Sequence, residues 1–413
     1  MTDPNKIFSR YQIFIVAMLA FIQFTVILDF MVIAPLGPLL MEIMEITPAQ
    51  FGVVVSAYAF SAGASGLLAA GFADRFDRKR FLLFFYAGFI LGTFLCGVAT
   101  DHAFLLAARI ITGLFGGVIA SVSLAIVADL FPLAMRSRVM GYIQMAFAVS
   151  QVAGIPFGIH LANLYGWHAP FFFIVALGVA AGLAIMRWMH PVTSHMEAER
   201  RNVVEHFRAT IAHRQYQRAF ATTALLSLGG FMMMPFSTAF LVHNVGISMH
   251  DLPVIFVATG AATLVVLPVV GRLSERIGTM PTFFAGTAVA VAMLLVYTNL
   301  GVTPLWTVIA VNIALFAGIL SRAVPAMATM TAVPELSDRG AFMSINSSLQ
   351  QMAGGAASVF AGLVVTEGAG GMLERYDVLG VYCAGTMLLC GWFMVRVNAY
   401  VRSKHPAPGG ASH

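Results

Sequence analysis

Apolar runs of 18 or more residues recur along this sequence from Phe14 to Val397. Runs of that length are too long for buried core helices and long enough to cross a ~30 Å hydrocarbon layer. Only 10% of the 413 residues are Asp, Glu, Lys or Arg and 59% are hydrophobic, where a soluble protein carries about 25% charged residues. Mean hydropathy is +0.87. These values exclude a soluble enzyme, a secreted disulfide scaffold and a nucleic-acid-binding module. At about 33 residues per span plus loop, the length allows roughly twelve spans. The pattern predicts helices over 11–37, 50–73, 80–99, 103–128, 138–163, 167–189, 218–244, 251–273, 281–299, 304–329, 340–366 and 377–399. The expected fold is all-α and polytopic.

Charge sets the orientation. Of 23 Lys and Arg, twenty fall in segments expected on one side, at the ends of alternate spans. Arg375 alone falls in an opposite-side loop, while Arg109 and Arg322 lie inside spans. By the positive-inside rule both termini are expected in the cytoplasm, so the net charge of +5 reports topology rather than a ligand. Cys96, Cys383 and Cys390 all fall within spans. Roughly 10 Å of helix rise separates the last two, which excludes a disulfide between them. No cleavable signal peptide is expected, because a short basic lead runs straight into the first span.

The chain repeats itself. A polar stretch over 190–217, suited to an amphipathic helix on the membrane face or a solvated linker, divides six spans (1–189) from six (218–400). The tail over 401–413 is expected to be disordered. Gly71 to Lys79 follows the second span, and Gly271 to Gly278 follows the eighth. Asp74 and Glu275 are 201 residues apart, as are Arg75 and Arg276. A second echo pairs Pro132–Gly141 with Pro334–Ser344. The chain is therefore read as a duplicated six-helix unit.

These loops resemble the signature of the major facilitator superfamily, and the resemblance extends over almost the whole chain. Asp74, Arg75, Arg78 and Lys79 match the superfamily's Gly-x-Leu-a-Asp-Arg-x-Gly-Arg-Lys loop; Gly71 is displaced by one, Phe72 replaces Leu and Asp77 replaces the second Gly. Arg109 and Gly113 are similar to the motif of span four, with Thr112 for its usual Gln. Gly154-Ile155-Pro156-Phe157-Gly158 is similar to the antiporter motif of proton-coupled exporters, in its shorter form. The resemblance implies two pseudo-symmetric six-helix bundles and, among its members, the twelve-span drug:proton and arabinose-efflux-like exporters. It also implies a cytoplasmic latch, with Asp74 at the start of span eleven near Gly340 and Arg78 paired with Asp129. Those bonds would hold an outward-open state and break on inward opening. The repeated acid Glu275, with Arg276, favours the latch over simple topology marking.

Chemistry narrows to few residues. Of 18 acids, 17 fall at loops or span ends and only Asp29 lies well inside a helix. An intramembrane carboxylate is a functional candidate that needs a partner. Asp29 is about 12 Å from the outer end of span one and Arg109 about 10 Å from the same side, so the two are expected at one depth. Both spans line the central cavity of the implied fold. Burial favours the neutral acid and the guanidinium favours the carboxylate, so competition between substrate and proton for this pair would couple export to proton entry. The alternative is a structural ion pair. Candidate cavity residues are Thr25, Gln144, Gln151, Met233, Phe236, Asn346, Gln350 and Arg322. Arg322 either binds an acidic substrate or, near the cytoplasmic surface, snorkels or caps carbonyls. Met232 to Met234 and Phe236 around Pro235 offer a soft surface for apolar ligands. Gly154, Pro156 and Gly158 form a hinge, seal or plain kink. None of the lysines follows a Gly-x-x-x-x-Gly, which excludes a Walker A loop. The scattered His residues propose no metal site. The expectation is a monomeric, proton-driven exporter in a bacterial inner membrane, with no cofactor, no enzymatic activity and no nucleic-acid partner. A proton-coupled importer of an organic anion and a non-transporting receptor or scaffold are the alternatives.

Overall fold

The computed structural model describes residues 8–69, 76–193, 203–335 and 338–404. Twelve transmembrane units are arranged as two six-helix bundles. The first bundle comprises α1 (Arg10–Val32) with α2 (Gly37–Ile43), α3 (Pro48–Ala69), α4 (Arg78–Gly97) and α5 (His102–Leu130). It is completed by α6 (Leu133–Val149), which continues through a π-helical turn (Ser150–Gly154) into α7 (Ile155–Tyr165), and by α8 (Ala169–Trp188). A short connecting helix, α9 (Val203–Ala212), leads to the second bundle: α10 (Arg214–Phe231) with α11 (Ser237–His243), α12 (Leu252–Ile277), α13 (Thr279–Thr298), α14 (Leu305–Ala332), α15 (Arg339–Val364) and α16 (Tyr376–Lys404). Ten of these units are long and apolar enough to cross a bilayer by composition alone. The two others are α10, which opens with Arg214 and Arg218, and α15, which carries the polar run Asn346 to Gln351. Their polar residues face protein rather than lipid at several points: Thr223 Oγ1 donates to Asn346 Oδ1 at 2.6 Å, and Ser348 is buried.

Spans one and seven are not the continuous helices the pattern predicts. Each breaks near its outer third, at 33–36 and at 232–236. Pro35 and Pro235, 200 residues apart, sit in these breaks, where proline removes a backbone donor and clashes with the preceding turn. The seventh span also begins at Arg214, inside the stretch read as linker, and α16 continues through Lys404, inside the stretch read as tail. Most of the charges proposed for an amphipathic linker lie outside the described residues; the described part is the helix α9. The all-α reading needs one amendment. Thr366–Glu367 and Leu373–Glu374 pair as a small antiparallel hairpin, tied to the end of α11 by two Asn244–Leu373 bonds of 2.8 and 2.9 Å.

The two ends of the molecule differ. At the end carrying the basic loops, called here the basic end, the first bundle buries its own core around Leu82, Phe89 and Ile126. The second buries a separate one around Phe220, Phe283 and Phe342. At the far end a single apolar core contains residues of both bundles, including Leu36, Leu40, Phe51, Met233 and Phe236. The Phe51 and Phe236 rings meet there at 5.9 Å. A side chain on Gly37 would meet the Phe51 ring and the Pro235 carbonyl, so the two helix breaks touch. Along the seam between α3 and α15, Gly52 lies so close to the Ser358 carbonyl that a Cβ would sit 2.7 Å from it. The bundles share one core at the far end; toward the basic end each has its own, and the α3–α15 seam still joins them, with Gly63 against the Ser348 carbonyl and Leu67 packed on the second core.

Candidate functional site

Asp29 and Arg109 have no solvent exposure. The Arg109 Nη1 donates to Asp29 Oδ2 at 2.9 Å and to the Asp29 carbonyl at 3.4 Å. The other carboxylate oxygen accepts from Thr93 Oγ1 at 3.1 Å. The guanidinium lies 4.7 Å from the centroid of the Tyr58 ring, a desolvated cation–π contact. Its Nε and Nη2 find no nitrogen or oxygen partner among the described residues. Four helices therefore enclose the pair: α1, α3, α4 and α5.

The small residues of α5 explain how this is possible. Arg109, Gly113 and Gly116 share one helical face. A side chain on Gly113 would collide with the Tyr58 backbone and Ser61, and one on Gly116 would sit 2.7 Å from the Tyr58 hydroxyl. Thr112, on the adjacent face, packs against Gly92 and contacts Cys96 Sγ at 3.6 Å. The glycines bring α3 and α4 close enough to seal the ion pair, since small residues let membrane helices approach backbone to backbone.

The pair does not line an open cavity, as the sequence had suggested it would. An aromatic row stands beside it instead. Tyr58 lies 5.3 Å from Phe30, and Phe30 lies 6.0 Å from Phe231, the last residue of α10. The row runs from the buried arginine across the interface to the break in span seven. Thr93, Tyr58 and Phe30 were missed from sequence. The glycine stripe signalled a close approach there, but neutral polar and aromatic residues are too common in spans to single out its partners.

The other predicted positions separate into groups. Thr25 is buried in the first bundle, donating to the Ile22 carbonyl at 2.8 Å and bonded to Tyr86 Oη at 3.0 Å, so it faces α4 and not the space between bundles. Met233 and Phe236 belong to the shared far-end core and form part of its closure rather than a ligand surface. Gln151 and Asn346 are half-buried and Gln350 is exposed; Gln144 lies on α6, with its side chain outside the described residues. Arg322 neither snorkels nor lies near a surface. It is 1% exposed, ten residues, or about 15 Å, from the basic end of α14. Its Nη2 reaches the Met387 carbonyl at 3.4 Å.

At the basic end, Gly71, Asp74 and Arg75 lie outside the described residues. Arg78 Nε pairs with Asp129 Oδ2 at 3.1 Å. Both residues belong to the first bundle, and the pairing is the one the resemblance implied. Asp77 caps α4, accepting from Lys79 N at 3.1 Å and from Val192 N at 2.8 Å. Lys79 Nζ caps the end of α8 through the Met186 and Met189 carbonyls. Glu275 and Arg276 are exposed in the last turn of α12 and form no ion pair among the described residues. In span five, Pro156 cannot donate to the carbonyl four residues back, and the π-helical turn absorbs that loss: Ile155 N bonds Ser150 O. Gly154 and Gly158 there make room for Leu28 and Val32 of α1.

Comparison with known proteins agrees with this architecture. The chain is 25% identical over 362 residues to the uncharacterized MFS-type transporter YtbD of Bacillus subtilis, covering 86% of this chain and 89% of the relative. It is 25% identical over 265 residues to Multidrug resistance protein 2 of the same organism, covering 62% of this chain and 65% of that one. Among solved structures, an inward-facing, unoccupied bacterial homologue of the human lysosomal transporter Spinster superposes with a TM-score of 0.69. Its identity is 17%, with 95% of this chain and 97% of that one covered, which bears on the fold alone. The family model of the Major Facilitator Superfamily matches residues 19–218 and 219–412, one segment for each bundle. The chain belongs to the major facilitator superfamily, whose members are membrane transporters.

Proposed function

We propose that this transporter is a proton-coupled exporter of a small amphipathic molecule, working as a monomer by alternating access in a bacterial inner membrane with both termini in the cytoplasm. The observation that carries the reading is the Asp29–Arg109 pair. Asp29 is the one acid without exposure among the described residues, and it is bonded to a buried arginine at 2.9 Å. Intramembrane acids of this kind mark proton and ion pathways. Protonating Asp29 removes the counter-charge of Arg109 and leaves a buried cation whose stabilisation must come from elsewhere. A change of conformation or of ligand occupancy meets that demand. One inward proton supplies ~2.3 kcal/mol per 100 mV of membrane potential. The likeness to a multidrug resistance protein supports outward transport of amphipathic compounds.

The test uses the purified chain and a panel of amphipathic compounds, read as proton release on binding in detergent and as gradient-driven flux in proteoliposomes. Asp29→Asn is expected to keep binding while losing both proton release and coupled export. A variant that exports at the wild-type rate across pH sinks the coupling role. Uptake of organic anions that survives Asp29→Asn and fails in Arg322→Ala would replace the exporter with an importer.

A further inference from the structure

Thr93 spends its hydroxyl differently from the threonines around it. Thr112, Thr222, Thr287 and Thr329 each donate to the carbonyl four residues back in their own helix, at 2.7 to 2.9 Å. That back-bond is the nearest option for any threonine inside a helix. Thr93 has no solvent exposure, yet its hydroxyl reaches across from α4 to α1 and donates to Asp29 Oδ1 at 3.1 Å.

The two oxygens of the Asp29 carboxylate therefore meet unlike neighbours. Oδ2 faces Arg109 Nη1 at 2.9 Å, and a guanidinium carries donors only and keeps its proton. A proton on Oδ2 would point at another hydrogen. Oδ1 faces a hydroxyl, which has two acceptor lone pairs and a hydrogen that rotates to suit. The other ionisable groups on the surrounding helices are engaged elsewhere. Tyr58 of α3 stacks on the guanidinium, and Cys96 and Tyr86 of α4 contact Thr112 and Thr25. Arg138 and Tyr142 of α6, His160 of α7 and Arg187 of α8 are exposed. Among the described residues only Thr93 offers Asp29 an acceptor.

We propose that Thr93 is the positioning residue for the coupling proton: Asp29 takes the proton on Oδ1, and the Thr93 hydroxyl changes from donor to acceptor as it does so. The assignment rests on the proton-coupling reading of Asp29. The incoming proton comes from the solution to which the carrier is open and forms the O–H bond at Oδ1; Thr93 gives up no proton of its own. Its hydrogen swings toward the preceding turn of α4, the direction in which the other threonines donate. The acid then keeps a hydrogen bond in both charge states, where a buried polar group without one is costly.

The test compares Thr93→Val, of equal shape without the hydroxyl, and Thr93→Ser with the wild type, reading proton release and gradient-driven flux against pH. A bond to a charged acceptor is about twice as strong as a neutral one, so the valine removes more from the ionised acid than from the neutral one. Its pH profile is expected to move up by about one unit, tenfold in proton affinity, and Thr93→Ser to restore the wild-type profile. A residue that only packs α4 against α1 would change Tm or maximal rate and leave the profile in place; that outcome in Thr93→Val overturns the proposal. Wild-type coupled export by Asp29→Asn sinks the proton-coupling reading itself, whereas lost coupling in Asp29→Asn beside an unshifted Thr93→Val sinks the role of Thr93 alone. Infrared difference spectra of the wild type between neutral and acidic pH need no variant at 93 to fold. The protonated-acid band that vanishes in Asp29→Asn is expected at the lowered frequency of a hydrogen-bonded acid, and a band at the frequency of a free acid overturns the proposal.

Discussion

Gly92 and Gly385 both occupy helix interiors, and their surroundings give them opposite roles. A Cβ at Gly92 would lie 2.7 Å from the Thr112 backbone N and 2.8 Å from its Cα. Backbone cannot yield as a side-chain tip can, so Gly92→Ala is expected to force α4 from α5 beside the Thr93–Asp29 bond and to cost ~1–3 kcal/mol. Nothing lies within 4 Å of a Cβ at Gly385, where Gly385→Ala should instead gain about 0.5–1 kcal/mol from reduced backbone freedom. Thermal unfolding of the two variants checks both signs. The residue scale also shows what a sequence can disclose. Asp29 and Arg109 stand out because a charge inside an apolar run is costly and therefore rare. Thr93, Tyr58 and Phe30 carry no such mark. Thr25, Met233 and Phe236 were misassigned to the cavity because span number alone does not say which face of a helix turns inward.

Among elements, helix existence was readable and helix continuity was not. A proline in an apolar run reads equally as a bend or a break, and only the meeting of Gly37 with Pro235 shows that spans one and seven break where they touch. The start of α5 carries a side-chain cap. Asp101 accepts from the Phe104 amide at 3.0 Å, and that bond holds its carboxyl below the usual carboxylate range. The contribution to folding is thus complete above the ordinary Asp value and disappears as pH falls through the depressed one. Asp101→Asn keeps a capping oxygen but removes the titration. Thermal scans from neutral to acidic pH should show a smaller acid loss for that variant than for the wild type; equal losses would assign the acid sensitivity to other groups.

For the whole molecule, the twelve-span, two-bundle plan was legible from hydropathy, charge asymmetry and the 201-residue repeat, whereas the far-end closure was not, since it depends on contacts between distant segments. Gly52→Leu tests that closure. The substitution pushes against the Ser358 carbonyl and Gly362 Cα across the α3–α15 seam and is expected to hold the far end open. Spin labels on Ala103→Cys and Val302→Cys, one exposed far-end site on each bundle, should then report a longer distance than in the parent protein; the native cysteines are buried. An unchanged distance would place the closing contacts elsewhere.

Phe51 against Phe236, with Leu36, Leu40 and Met233 packed around them, gives the far end a thermal character. Parting these side chains wets hydrocarbon and so carries a positive heat-capacity change. Warming near room temperature strengthens the apolar closure, and cooling loosens it. The Arg78–Asp129 contact at the other end, with its side chains 5% and 15% exposed, is too buried for salt to screen it strongly. Cold therefore loosens one end of the carrier and leaves the ion pair at the other in place.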